Sequence, residues 1–112
     1  MTTAPGATFH YEIEESEDEA KYITTTIKCQ GKLISENTDE IRKLVQPLIQ
    51  RGGRIVLDLT DLEYLDSSGL GALVGLKVSA INRGLCVLEL VNLTPRVKKL
   101  LTITNLLQLF SS

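Results

Sequence analysis

Arg54-Ile55-Val56-Leu57-Asp58-Leu59-Thr60-Asp61-Leu62-Glu63-Tyr64-Leu65-Asp66-Ser67-Ser68-Gly69-Leu70-Gly71 is the stretch that decides the fold. Its first part, Arg54 to Leu59, holds the continuous apolar run Ile55-Val56-Leu57, the pattern of a strand buried on both faces. A polar stretch read as an acidic loop follows. Ser67 or Ser68 then opens a helix that reaches Asn82 and stops at Arg83-Gly84. A buried strand leading into a helix is the repeating unit of an α/β protein.

Outward from this unit the chain alternates in kind. Phe9, Tyr11 and Ile13 against His10, Glu12 and Glu14 predict a half-buried strand over Phe9–Glu15. Ser16–Ala20 forms an acidic turn, and the β-branched run from Ile23 to Ile27 marks a second strand over Lys21–Gln30, ended by Gly31. A helix from Ser35 or Asn37 to Arg51 follows, with Ile41, Leu44, Val45, Leu48 and Ile49 on one face. Thr38 and Asp39 are its capping candidates. Pro47 implies a kink, and Gly52-Gly53 ends the helix. Cys86–Val91 reads as another buried strand. Thr94 and Pro95 start a short helix as N-cap and first helical residue, with Val97, Leu100 and Leu101 inside and Arg96, Lys98 and Lys99 in water. Leu106–Phe110 reads as a last strand. The order ββαβαβαβ predicts an open, mostly parallel sheet with an N-terminal antiparallel hairpin and helices packed on it. Residues 1–8 are expected to be a flexible tail and 9–112 a single domain.

Composition narrows the function. A chain of 112 residues, 43% hydrophobic and 23% charged, is that of an ordinary globular domain large enough to bury a core. A net charge of −2 and only 4% aromatics lack the basic, aromatic-interleaved stripe of a nucleic-acid binder. The acidic excess is concentrated in Glu12, Glu14, Glu15, Glu17, Asp18 and Glu19, a solvated edge. Cys29 and Cys86 each sit in an apolar strand and read as small buried hydrophobes with no disulfide. His10 is the sole histidine, which argues against a conventional zinc site and against a serine hydrolase. Gly69, Gly71 and Gly75 give G-x-G-x-x-x-G, one residue too long for a dinucleotide fingerprint, and a loop is expected between Leu59 and Gly69 where that motif wants a tight turn. No cofactor, metal or catalytic residue is expected. The opening residues show no signal peptide and no apolar run approaches a membrane span, so a cytoplasmic protein is expected.

The start of the central helix offers free backbone N–H groups and the positive end of the helix dipole. By residue type alone, Asp66 and the serines are N-caps. Leu65-Asp66-Ser67-Ser68-Gly69-Leu70-Gly71, preceded by Ile55-Val56-Leu57-Asp58-Leu59, resembles the signature of the anti-sigma factor antagonists of the STAS domain family. Thr94-Pro95-Arg96-Val97-Lys98-Lys99-Leu100-Leu101 resembles that family's late helix, and the likeness covers roughly Phe9 to Phe110. Gly31-Lys32-Leu33-Ile34-Ser35 stands where many relatives carry an acidic turn, and the relatives' additional C-terminal helix is expected to be absent or cut off.

The resemblance implies a non-enzymatic switch. Ser67, with Ser68 as alternative, would be phosphorylated by an anti-sigma factor that is also a serine kinase. The unphosphorylated form would bind that partner and free a sigma factor; a serine phosphatase would reset the cycle. It implies a docking surface of Asp66, Ser67, Ser68, Gly69, Leu70, Ala72, Leu73 and Leu76, with no nucleic-acid or membrane partner and a monomer or weak dimer. In the helix itself Leu70, Val74, Val78 and Ile81 make one apolar stripe, which Leu73, Leu76 and Ala80 widen; it reads either as a broad core face or, through Leu76 and its neighbours, as part of the docking surface. Lys77 lies between the stripes and is expected to snorkel to water. Gly69, Gly71 and Gly75 keep the near side low. The alternative within the same fold is a non-catalytic scaffold of a stress-sensing assembly or an accessory subunit of a lipid transporter.

Overall fold

A computed structural model describes residues 9–111, with side chains for 9–110; the expected tail over residues 1–8 lies outside them. The elements run β1 (Phe9–Glu17), β2 (Ile23–Leu33), α1 (Thr38–Arg51), β3 (Gly53–Leu65), α2 (Ser67–Arg83), β4 (Cys86–Val91), α3 (Pro95–Ile103) and α4 (Leu107–Ser111). The strands form one sheet in the order β1-β2-β3-β4. β1 is antiparallel to β2, and β2, β3 and β4 are mutually parallel. The expected α/β sheet with an N-terminal hairpin is therefore present.

The sheet buries one face. In register, Ile27 pairs with Leu57 and Leu57 with Leu90, and all three point into the core. The opposite face carries Thr24, Thr26, Lys28, Arg54, Asp58 and Glu89, all half-buried. Val56 lies on that outer face, buried yet outside the main hydrophobic cluster. Val97 and Leu101 of α3 and Phe110 of α4 belong to the same cluster as Ile41 of α1 and Leu73 of α2. All four helices thus pack on one side. Each such fully buried aliphatic side chain contributes about 1.5–3 kcal/mol relative to exposure.

Several elements depart from the reading of the sequence. β3 runs on to Leu65, through the stretch expected to be an acidic loop. Two register shifts against β2 explain why its pattern was hidden. Lys28 pairs with Asp58 but Gln30 with Asp61, and Gly31 pairs with Leu62 but Lys32 with Tyr64. Each shift inserts one extra residue in β3, so its inward leucines fall at 57, 59, 62 and 65 and lose the period of two. Asp58 Oδ1 stabilises the first irregularity, accepting from Thr60 N (3.0 Å) and from the Thr60 hydroxyl (2.6 Å). Because β3 reaches Leu65, the strand-to-helix step is tight. The glycine spacing alone now separates this turn from a dinucleotide fingerprint. Gly31, with φ 86°, does not end β2 but lies within it at the second shift.

No side chain caps α1. Asn37 Oδ1 accepts from Ile34 N (2.9 Å) and Thr38 donates to Ser35 O (3.4 Å), so both tie down the β2–α1 connection instead. Asp39 pairs with Arg42 at 3.6 Å. The helix continues through Pro47 to Arg51 and ends at Gly52, whose N–H bonds Leu48 O and Ile49 O. At α3 the expected cap is present: Thr94 Oγ1 accepts from Val97 N (3.3 Å), with Pro95 in the first turn. β4 is an edge strand, buried on one face only, with Val87 exposed. Leu106–Phe110 is not a strand. After Asn105 (φ 60°) the chain forms α4, which turns Phe110 into the core. A run of four apolar residues in five does not distinguish a short helix from a strand.

Candidate functional site at the start of the central helix

β3 delivers the chain to the mouth of α2, and Asp66 makes the turn. Its backbone is extended (φ −92°, ψ −178°), as an N-cap requires. Its carboxylate is fully engaged: Oδ1 accepts from Gly69 N (2.7 Å) and Oδ2 from Ser35 N (3.1 Å). Its own N–H donates to Leu33 O (3.2 Å). Asp66 therefore caps α2 and pins it to the end of β2. Gly69 is fixed by packing. A Cβ there would lie 2.3 Å from Leu33 O and 2.8 Å from Leu65 Cδ1. Both residues are parts of the scaffold that presents the serines.

Ser67 and Ser68 are the first two residues of α2 and both are exposed. Neither hydroxyl is engaged by another described residue. Their backbone N–H groups belong to the first turn, where helix geometry supplies no internal acceptor. Four residues on from Ser67, Gly71 faces solvent, and Gly75 follows four later; a Cβ at either would meet nothing within 4 Å. The same side of the helix continues to Val78 and Ile81, which are 43% and 55% exposed.

The expected docking surface is corrected here. Ala72, Leu73 and Leu76 are at most 1% exposed and Leu70 is 7% exposed. They belong to the hydrophobic core rather than to the surface. The stripe drawn through Leu70, Val74, Val78 and Ile81 divides: Leu70 faces in, Val74 is half-buried, Val78 and Ile81 face out. α2 is apolar around most of its circumference, so periodicity alone cannot orient it. Lys77 misleads as well. It does not snorkel: it is buried, and its Nζ donates to Leu88 O (2.8 Å), tying α2 to β4. Of the expected site, Ser67 and Ser68 are surface groups and Asp66 and Gly69 are the supports beneath them, while Val78 and Ile81 of the expected apolar stripe face outward.

The electrostatic surroundings are acidic but structured. Asp58 is held below the ordinary carboxylate range, first by the Thr60 hydroxyl and then by Asn92 and Lys28. Burial pushes the Cys29 thiol up to about 12, with Asp58 adding to the shift. Cys29 and Cys86 are both buried free cysteines. Among the described residues no cluster of His, Cys, Asp or Glu is placed to hold a metal ion, and no helix is long and apolar enough to cross a membrane.

Comparison with known proteins supports what the geometry suggests. Residues 11–112 match the STAS domain family. A STAS-domain containing protein of Pseudomonas aeruginosa is 35% identical over 76% of this chain and 83% of its own length. The anti-sigma-B factor antagonist of Staphylococcus aureus is 32% identical over 71% and 74%, respectively. Among solved structures, the Bacillus anti-sigma factor antagonist SpoIIAA superposes with a TM-score of 0.67 at 23% identity. The unphosphorylated form covers 87% of this chain and 82% of its own. An anti-sigma factor antagonist from Mycobacterium paratuberculosis gives 0.73 at 16% identity, covering 98% and 88%. The chain belongs to the STAS domain family and is similar to that family's anti-sigma factor antagonists.

Proposed function

We propose that this protein is a phosphorylation-controlled anti-sigma factor antagonist, a cytoplasmic, non-catalytic single domain over residues 9–112 acting as a monomer or weak dimer. In its unphosphorylated form it binds an anti-sigma factor that is also a serine kinase, and so frees a sigma factor. Phosphorylation of Ser67 breaks that complex, and a serine phosphatase restores it. The docking surface is Ser67, Ser68 and the low outward side of α2 through Gly71 and Gly75.

One observation carries the reading: Ser67 is an exposed hydroxyl on a rigid, capped helix start, with an unobstructed helix face beside it. A phosphate adds about −1.5 to −2 charge. At a helix N-terminus the domain tolerates that charge. A partner surface packed on the same spot does not, because Asp61 and Glu63 on the adjoining strand are already exposed and negative. The switch then works by breaking an interface and leaves the fold intact.

The test is to incubate wild type, Ser67→Ala and Ser68→Ala with candidate anti-sigma kinases and labelled ATP. Label should be lost in Ser67→Ala alone, and Ser67→Asp should fail to retain the kinase that wild type retains. Incorporation that survives Ser67→Ala, or undiminished kinase binding by Ser67→Asp, contradicts the assignment.

A further inference from the structure

A second surface feature lies beside the serines and takes no part in the proposed phosphorylation. Tyr64, the last outward residue of β3, is 39% exposed, and the Arg96 guanidinium sits over its ring at 5.9 Å. On one side of this pair is a hollow of about 480 Å³ floored by Leu65, Leu100 and Ile103 and edged by Lys99. On the other is a hollow of about 420 Å³ between Ile34, Lys32 and Glu63. Tyr64 and Arg96 line both hollows, so the two adjoin at the Tyr64–Arg96 stack and are taken together as one groove.

Chemistry and shape both restrict what fits. The floor is apolar, and Ile103 is 67% exposed. The rim carries Lys32, Arg96 and Lys99 against the single carboxylate of Glu63, a local excess of positive charge on a chain whose net charge is −2. None of the three cations forms an ion pair among the described residues. The groove is open along its length, whereas a small-molecule site encloses most of its ligand. Two shallow apolar hollows either side of a ridge suit successive side chains of one peptide segment. The cationic rim selects carboxylates on that segment's flanks.

We propose that this groove is a docking site for an acidic amphipathic peptide segment of a partner protein. Apolar side chains of the segment enter the hollows on either side of Tyr64, and its carboxylates meet Arg96, Lys99 and Lys32. The proposal stands whether or not Ser67 is a phosphorylation site.

The experiment titrates the isotopically labelled chain with a synthetic amphipathic helical peptide bearing Leu at i and i+4 and Glu between them. A second titration uses the same peptide with Lys for Glu, and a third uses ATP. The acidic peptide should shift the amide resonances of Tyr64, Arg96, Leu100 and Ile103, and weaken with added salt. Arg96→Glu with Lys99→Glu should reduce its affinity by about tenfold or more, and Ile103→Ser should weaken it with no change of charge. The peptide titrations contain no kinase, so their outcome does not depend on the phosphorylation reading. Equal binding of the Lys peptide, shifts confined to other surfaces, or occupation of the groove by ATP in preference to the acidic peptide would overturn the proposal. All three substituted side chains are solvent-exposed, and an unchanged amide spectrum elsewhere verifies that each variant is folded.

Discussion

At the scale of single residues, one letter stands for two opposite situations. Gly69 and Gly71 look alike in the sequence, two positions apart, yet one is walled in by Leu33 and Leu65 and the other faces open solvent. Gly69→Ala must push a Cβ against a backbone oxygen that cannot move aside, and should cost about 2–3 kcal/mol. Urea denaturation of the purified chain measures it, and a loss under 0.5 kcal/mol would show that the helix start shifts freely. The caps were legible by residue type: Asp66 and Thr94 each accept the backbone N–H three residues on. Asn37 and Thr38 were not, because their side chains serve the loop before α1. Side-chain oxygens of these types bond equally well in either direction along the backbone.

At the scale of elements, α2 keeps two glycines on its outward side with no packing reason inside the chain. Alanine is favoured over glycine in a helix interior by about 0.8–1 kcal/mol. Gly71→Ala and Gly75→Ala should therefore each stabilise the domain by roughly that amount, read as a higher melting temperature. If the outward side docks a partner closely, the same variants should bind the anti-sigma kinase more weakly. Stability and binding would then move in opposite directions. The start of α2 was legible because a capping residue and a strand end converge on it. Its rotation was not, since Leu70, Leu73 and Leu76 face in while Val78 and Ile81 face out, and hydrophobicity does not separate the two sets. Lys77 would ordinarily mark the wet side, and here it is inside. Where β3 ends was hidden by the paired register shifts, and the C-terminal helix by the brevity of its apolar run.

At the scale of the whole molecule, charge is arranged across the uncovered face of the sheet. Lys28 pairs with Glu14 at 3.6 Å, and Arg54 hydrogen-bonds Glu89 across β3 and β4. The bond from Arg54 holds the Glu89 carboxyl below its ordinary range, as Thr60 chiefly does for Asp58. Both groups are depressed in the folded state. Their contribution to stability is thus present above the unfolded carboxylate values, about 4, and is lost as pH falls through the lower folded values. Thermal melts should show stability flat from about pH 7 to 5 and declining below about pH 4. Glu89→Gln should remove part of that decline, and an unchanged acid limb would show that the Arg54 pair adds nothing. The alternation of strands and helices was legible up to Leu101, and with it the mostly parallel sheet with its N-terminal hairpin. The packing of all helices on one face was not, because Ile55-Val56-Leu57 reads as a strand buried on both.

The two extra residues in β3 also govern how the chain tolerates changes of length. Thr60 and Glu63 face outward and are supernumerary to the ladder with β2. Deleting either one leaves every neighbouring pair its partner and straightens the strand, though loss of Thr60 also removes its two bonds to Asp58. A residue lost from Ile55–Leu57 instead turns everything downstream over, exchanging wet side chains for dry ones as far as the serines. The polar span that most resembles a dispensable linker is the part of the sheet with slack, and that slack stops at Leu65.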